Sequence, residues 1–149
     1  MKQEAIEFCI ETQGRGLVEI TSKVVGWVAG SGIGTGLLTL HVRHTSASLV
    51  IQENADPDVQ ADLERFLARL VPDGDPLFRH TVEGPDDMPS HVRSALTSTS
   101  LSVPVIHGRP ALGTWQGIYL YEHRHSPHRR KIAAHLLGEG GAWDGGSEQ

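Results

Sequence analysis

A chain of 149 residues is long enough for one domain in which folding buries roughly 70% of the unfolded surface. Its 18 acidic and 13 basic residues give a net charge of −5, which argues against general affinity for nucleic acid or for anionic membranes. The sequence shows neither the apolar core of a signal peptide nor the ~20 apolar residues of a membrane span, and we therefore expect a cytoplasmic protein.

The first elements in chain order are a strand, a turn and a short helix. Apolar residues alternate with polar ones in "AIEFCIE", which predicts a half-buried strand. Its Cys9 is the single cysteine; it excludes an internal disulfide, and we expect it to fill the core. After the turn "TQGRG", apolar residues recur at helical spacing behind Thr21, the predicted N-cap, and the glycines of "AGSGIGTG" end this helix. These glycines lack the spacing of a nucleotide-binding loop.

The middle of the chain predicts a second strand and an amphipathic helix. One face of the strand carries Leu38, Leu40, Val42 and His44. The segment "NADP" then places Asp56 at the N-cap and Pro57 at the first position of the helix. The apolar stripe expected to face the core consists of Val59, Leu63, Phe66, Leu67 and Leu70.

The last third predicts a third helix and three strands. An aspartate in "HTVEGPDDMPSH" is expected to cap the helix, whose inward residues would be Val92, Ala95 and Leu96. "LSVPVI" predicts a strand at an edge or bulge because it contains Pro104, and "TWQGIYLYEHRH" and "KIAAHLL" predict the last two strands. The pattern indicates one α+β domain over residues 1–138. Residues 139–149 are glycine-rich and polar, and we expect a mobile tail in which Trp143 contacts a neighbour.

Nine histidines are more than packing usually requires. His44 ends an apolar strand face, His80 precedes the acidic turn, and His91 lies in the first turn of the third predicted helix. We hypothesise that these imidazoles converge on a divalent metal such as zinc, with carboxylates or water completing the shell. The alternative, that each histidine is satisfied singly by a carbonyl or carboxylate, stays open because no "HExxH" or "CxxC" spacing decides between them.

The adjacent Asp86 and Asp87 present a similar choice. Both gain from the positive end of a helix dipole, but capping needs only one of them. The other, with Glu83 nearby, can orient a ligating histidine, bind a cation such as Mg²⁺, or act as a general base. A purely structural role for the pair fits the sequence equally well.

A basic cluster and an aromatic segment suggest how a substrate is bound. Guanidinium groups suit phosphate or carboxylate, although a solvated hairpin tip is the commoner role of such a cluster. In "GTWQG", the indole of Trp115 and the amide of Gln116 suit a planar heterocycle, but Trp115 also fits a core position. The basic cluster, within "EHRHSPHRRK", consists of Arg124, Arg129, Arg130 and Lys131.

Three motifs in order, "HTSASLVIQENADP", "HTVEGPDDMPSHVRSAL" and "ALGTWQGIYLYEHR", make the chain resemble the YjbQ family, often labelled secondary thiamine-phosphate synthase enzyme. The likeness spans Ile6 to Leu137. It implies an antiparallel β-sandwich with two or three short helices, assembled as a homotrimer.

The same resemblance assigns roles to individual residues. His44, His80 and His91 match the metal-site histidines of the family, and His123 ranks below them because relatives vary there. Catalytic roles are expected for Asp86, Asp87, Gln116 and Glu122. From the chemistry of their side chains, binding of the substrate and its phosphate is expected for Arg124, Arg129, Arg130 and Trp115.

The family label implies that a pyrimidine pyrophosphate joins a thiazole phosphate, with release of pyrophosphate. That chemistry requires a cation, zinc or magnesium, to neutralise the leaving group, and basic side chains for phosphate. The chain is too short for a TIM-barrel synthase of ~250 residues, so such an activity would be convergent. Two alternatives stay open: a metal-assisted hydrolase with Asp87 as base, and a non-catalytic trimer that binds a metabolite or protein through the arginine cluster.

Overall fold

The computed structural model describes residues 1–140, which form two antiparallel β-sheets and three α-helices. The strands are β1 (Lys2–Glu11), β2 (Gly16–Glu19), β3 (Ile33–Val42), β4 (Ala47–Glu53), β5 (Ser100–Ile106), β6 (Arg109–Pro110), β7 (Gln116–Glu122) and β8 (Arg129–Gly140). The helices are α1 (Thr21–Gly30), α2 (Pro57–Leu70) and α3 (Asp87–Leu96). The large sheet has the order β1-β8-β3-β5-β6 and the small sheet the order β2-β7-β4. The predicted α+β class, single domain and sandwich are thus confirmed.

The core lies between the two sheets, where the alternating patterns direct their apolar residues. In the large sheet, Leu38 and Leu40 of β3 are fully buried beside Leu136 and Ala134 of β8. The small sheet contributes residues such as Leu120 to the same cluster, and α1 adds two valines. Each large aliphatic side chain buried in this way contributes roughly 1.5–3 kcal/mol. Among residues 1–140, no helix is both long and apolar enough to cross a membrane.

Helix α1 begins differently from the prediction. Thr21 is its first residue, Ile20 occupies the N-cap position, and no side chain caps the helix. The Thr21 hydroxyl accepts a hydrogen bond from the Ile118 N–H (2.9 Å) and donates one to Glu19 (2.8 Å). This threonine therefore joins the start of α1 to β7 instead of closing its own helix.

Helix α2 begins as predicted, but its apolar stripe is not core. The Asp56 carboxylate accepts from the Asp58 N–H at 2.9 Å, and Pro57 follows the cap. No residue of α2 is fully buried, and Phe66 and Leu70 are 53% and 55% exposed. The expectation that this stripe faces the core was wrong because the helix lies over the small sheet's polar outer face, which carries tyrosine hydroxyls and a histidine.

Helix α3 buries a polar face. Ala95 and Leu96 are exposed and Val92 is half-buried, so the predicted inward face was wrong. Arg93 is fully buried instead, and both of its terminal nitrogens bind the Glu64 carboxylate of α2, at 2.8 and 3.0 Å. Hydrophobicity pointed to the wrong side of α3 because the surface that this helix covers is itself polar.

Smaller differences follow from register. Cys9 is exposed, not core, because β1 directs Phe8 and Ile10 inward and Cys9 to the opposite face. Pro104 lies in β5, which is the second strand from the edge and not the edge strand itself; the edge strand β6 has two residues and pairs only with Val105 and Ile106. Strand β8 continues through Gly140, past the predicted domain limit at 138. The mobile tail and Trp143 otherwise lie outside the described residues.

Candidate functional site

Three predicted site residues meet where the loop between α2 and α3 enters α3. Asp87 is the first residue of α3 and His91 lies one turn later on the same side of the helix, while His80 comes from the preceding loop. The Nε2 atoms of His80 and His91 lie 2.7 and 3.2 Å from Oδ2 of Asp87. The ligand atoms of the three side chains all lie within 4.8 Å of one another, an arrangement that could hold a metal ion.

The hydrogen bonds of His91 leave its Nε2 in an unusual position. Its Nδ1 lies 2.9 Å from the carbonyl oxygen of Thr45, which only accepts, so Nδ1 carries a proton. In a neutral ring, Nε2 then presents a lone pair toward the Asp87 carboxylate, which is also an acceptor. The contact is favourable only if the ring is doubly protonated or if a cation lies between the two atoms. A backbone carbonyl on the far nitrogen is the usual partner of a metal-ligating histidine.

Asp87 is held from the opposite side. Oδ1 accepts from Nη1 of Arg124 at 2.9 Å, which turns Oδ2 toward the two histidines. Burial acts to raise the pKa of Asp87, but the hydrogen bond from His80 and the charges of His91 and Arg124 outweigh it and lower that pKa. The carboxylate is almost completely buried and ionised, which suits a ligand.

Arg124 is fully engaged inside the protein. Its Nε and Nη2 bind the Asp86 carboxylate at 3.1 and 3.4 Å, and Nη2 also binds the Glu83 carbonyl at 2.9 Å. Oδ2 of Asp86, the oxygen that Nε of Arg124 contacts, also accepts the N–H of His125 at 2.8 Å. Asp86 occupies the N-cap position without a side-chain capping bond. Arg124 therefore organises the acidic pair, and its guanidinium is not free to bind a substrate phosphate.

Glu122 and Arg130 form an ion pair between the two sheets. Glu122 of β7 and Arg130 of β8 are both buried, and Arg130 Nε donates to the carboxylate at 2.8 Å. Thr12 donates to the same oxygen at 2.7 Å. Burial acts to raise the pKa of Glu122, but these donors outweigh it and lower that pKa. The two charges are satisfied by one another inside the sandwich, so the structure gives them a structural role.

His44 does not join the group of His80, Asp87 and His91. Its Nε2 accepts the backbone N–H of Lys131 at 2.8 Å. Burial, followed by the charge of Arg130, lowers the pKa of His44. His44 is thus satisfied singly, as in the alternative, but its partner is a backbone N–H and not a carbonyl or carboxylate.

His123 is buried away from the group, on the face of the small sheet that α2 covers. Its Nε2 lies 2.8 Å from the Ser48 hydroxyl, and its ring lies 4.5 Å from that of Tyr121 between centroids. Nδ1 has no hydrogen-bond partner among residues 1–140. Burial, reinforced by Arg93 and other arginines, lowers the pKa of His123 to about 3, so this ring is neutral at physiological pH.

Trp115 and Gln116 lie at the opposite end of β7 from Arg124. The strand between them spans roughly 20 Å at ~3.3 Å per residue. Trp115 is 63% exposed, and the side-chain oxygen Oε1 of Gln116 accepts the Gly113 N–H at 2.7 Å. Arg129 is exposed at the start of β8. Within one chain, none of these three residues lies with the histidine pair.

Sequence reasoning missed three features beside the group. Thr45 supplies the carbonyl that orients His91, and a backbone group leaves no side-chain signal. Arg79 is exposed and has no hydrogen bond or ion pair within residues 1–140. Its position directly before His80 in the sequence could have indicated it as a site residue. The third feature is a pocket of about 330 Å³ that opens along His80, which only the folded loop reveals.

Comparison with known proteins finds one matching family model, several relatives and several similar solved structures. A family model described as "UPF0047 protein YjbQ-like" matches residues 6–139. A UPF0047 protein of Synechocystis is 56% identical over 130 residues, covering 87% of this chain and 88% of the relative. The UPF0047 protein YjbQ of Salmonella typhimurium is 49% identical, covering 84% and 91%. A hypothetical protein of Aeropyrum pernix, solved as a crystal structure, has a TM-score of 0.83 at 31% identity, covering 91% of this chain and 99% of its own.

Proposed function

This chain belongs to the YjbQ-like family of UPF0047 proteins, and we propose that it is a metal-dependent enzyme acting on a small phosphorylated heterocycle, with thiamine-phosphate synthase-like activity. The observation that carries the proposal is the Nε2 of His91, which faces a buried carboxylate without a proton to donate in its neutral form. Such a contact calls for a bound cation or a second proton on the ring, and His80, which supplies a third donor within reach, favours the cation.

The donor set fits a divalent metal. Two imidazole nitrogens and one carboxylate oxygen are the protein ligands of many catalytic zinc sites and of mononuclear non-haem iron sites, which leave positions open for substrate. Side-chain exposure of 49% at His80 against 2% at Asp87 leaves one side of the group open to solvent. A bound metal would supply Lewis-acid stabilisation of the negative charge on a departing phosphate or pyrophosphate.

The protein's own groups have distinct roles in this proposal. Thr45 and Arg124 fix the orientation of His91 and Asp87 before any ligand arrives, which limits reorganisation during the reaction. Arg79 is the exposed guanidinium nearest in sequence to the group, and we assign it the substrate phosphate in place of Arg124.

The geometry disfavours the two alternatives. A hydrolase with Asp87 as base needs a carboxylate whose pKa is raised, whereas the pKa of Asp87 is lowered and both oxygens are bonded. A binding module acting through the arginine cluster needs free guanidinium groups. Arg124 and Arg130 are both occupied by carboxylates of the same chain, which leaves only Arg129 and Lys131 of the cluster exposed.

The proposal includes a cytoplasmic homotrimer. Ala5, Thr39, Ala133 and His135 line an open depression on the large sheet, and Leu137, on the face opposite the core, is 39% exposed. Exposed apolar groups on a wide sheet face are typical of a contact surface between subunits. We assign this face to the trimer interface.

The experiment is a pyrophosphate-release assay on purified, zinc- or magnesium-loaded protein, with a pyrimidine pyrophosphate and a thiazole phosphate. We expect release only when both substrates are present, and its loss in His91→Ala with the fold retained. Trp115→Leu serves as the control, because Trp115 lies at the other end of β7 and should retain full activity. Release without the thiazole phosphate, or an unchanged rate in His91→Ala, would overturn the proposal.

A further inference from the structure

The loop that delivers His80 to the metal group also builds a pocket on the other side of that residue. The pocket has a volume of about 330 Å³, enough for a single ring with small substituents. Its wall is mainly apolar, with ring and thioether surfaces that suit a flat group. The residues that give it this character are Pro76, Phe78, His80, Pro85, Met88 and Pro89.

The pocket is a built feature of the fold. The Gly74 N–H donates to the Pro85 carbonyl at 3.0 Å, which ties the two ends of the loop together. The Gly84 N–H donates to the Thr81 carbonyl at 3.2 Å, and the φ of Gly84 is +105°, a conformation that glycine adopts readily and other residues rarely do. Pro89 is buried at the base of α3, so the floor of the pocket moves with the helix that carries Asp87.

One charged group in the wall limits what the pocket accepts. Asp75 lines it, and only Oδ1 is occupied by a donor among residues 1–140, the Leu77 N–H at 2.9 Å. A carboxylate in a half-enclosed apolar pocket repels anions and favours ring N–H groups or a basic ring. A phosphate on the same molecule must therefore lie outside the pocket, toward its His80 side.

We propose that this pocket binds the neutral or basic aromatic ring of the substrate while the anionic part of the same molecule reaches the group of His80, Asp87 and His91. The inference rests on the proposed function for its second half only. It moves the ring from Trp115, where the sequence placed it, to the surface formed by Phe78 and Met88.

The first test uses metal-free protein and two probes of equal shape and opposite charge, benzamidine and benzoate, in an NMR titration of ¹⁵N-labelled chain. We expect benzamidine to shift the amides of residues 74–89 and to bind at least fivefold more tightly than benzoate. Asp75→Asn should abolish this preference and Phe78→Ala should weaken both probes, while Phe66→Ala, which removes an exposed ring on α2, should change neither. Equal affinities in the native chain, or shifts elsewhere, would overturn the proposal.

The second test joins the pocket to the metal group. In zinc-loaded protein, benzylphosphonate should bind at least tenfold more tightly than methylphosphonate by calorimetry, and Asp75→Asn should retain most of that advantage while Phe78→Ala loses it. No advantage for benzylphosphonate would show that ring and anion are not held together, which contradicts the inference. If the chain takes up no divalent metal, the proposed function fails, and the benzamidine titration still decides whether the pocket binds a ring.

Discussion

Replacing His123 with glutamine should flatten the acid side of the stability profile. The buried ring has a pKa of about 3 in the folded chain against 6.5 for an ordinary histidine. Below pH 6.5 the unfolded chain therefore binds a proton that the native state refuses, so stability falls as pH falls, by ~1.4 kcal/mol per unit until the pH approaches the folded pKa. Between pH 6.5 and 5 this single group removes about 1.6 kcal/mol. His123→Gln can keep the bond to Ser48 and has no proton to bind.

The measurement is urea unfolding at half-unit steps from pH 7 to 5, followed by circular dichroism. The native chain should lose stability about 1.4 kcal/mol per pH unit faster than His123→Gln once the pH is well below 6.5. His41→Gln, which changes an exposed histidine, should follow the native profile. Parallel profiles for native and His123→Gln would refute the conclusion that this ring is held neutral by burial.

Two further substitutions test contacts around the site. Arg124→Gln should lower the affinity for zinc 10- to 100-fold, measured by calorimetry, because it removes the hydrogen bond that holds Oδ1 of Asp87. Arg129→Gln should have no effect on this affinity. Glu64→Gln should lower the free energy of unfolding by about 3 kcal/mol, because it leaves the buried Arg93 cation without a countercharge. The corresponding change at the exposed Asp62, Asp62→Asn, should lower it by less than about 0.5 kcal/mol. Similar losses at both positions would contradict the argument.

The sequence predicted the strands whose two faces differ in polarity. Alternation identified β1 and β3 because one face of each meets the core and the other does not. Strand β4 was missed since Ala47, Ser48 and Leu49 are buried in succession, with the sandwich core on one face and α3 on the other. Alternation cannot mark a strand that is covered on both faces.

The two outer helices show the limit of hydrophobic pattern. For α2, the cap at Asp56 was predicted correctly because capping is a local interaction. The inward face of α3 was wrong because it depends on Glu64, which belongs to another helix and whose approach to Arg93 no local spacing reveals.

The sequence predicted the three residues that form the group, but it also assigned to the group residues that the fold places elsewhere. His80, Asp87 and His91 come from one short segment, so their proximity follows largely from a loop and one helical turn. Whether His44 joined them depended on how β3 and β8 pair at their ends, which places Lys131 and not the metal group before its ring. The arginines were recognised as anion-binding groups, yet the anions they bind are carboxylates of the same chain.

The most direct test of the account is a zinc titration of chelator-stripped protein by calorimetry, with the metal content of the isolated complex measured by elemental analysis. We predict one zinc per chain, lost in His91→Ala and Asp87→Asn and retained in His44→Ala, whose imidazole only accepts a backbone hydrogen bond. A chain that binds no zinc, iron or manganese, or one whose metal survives both changes in α3 and is lost with His44, would contradict the assignment of this site.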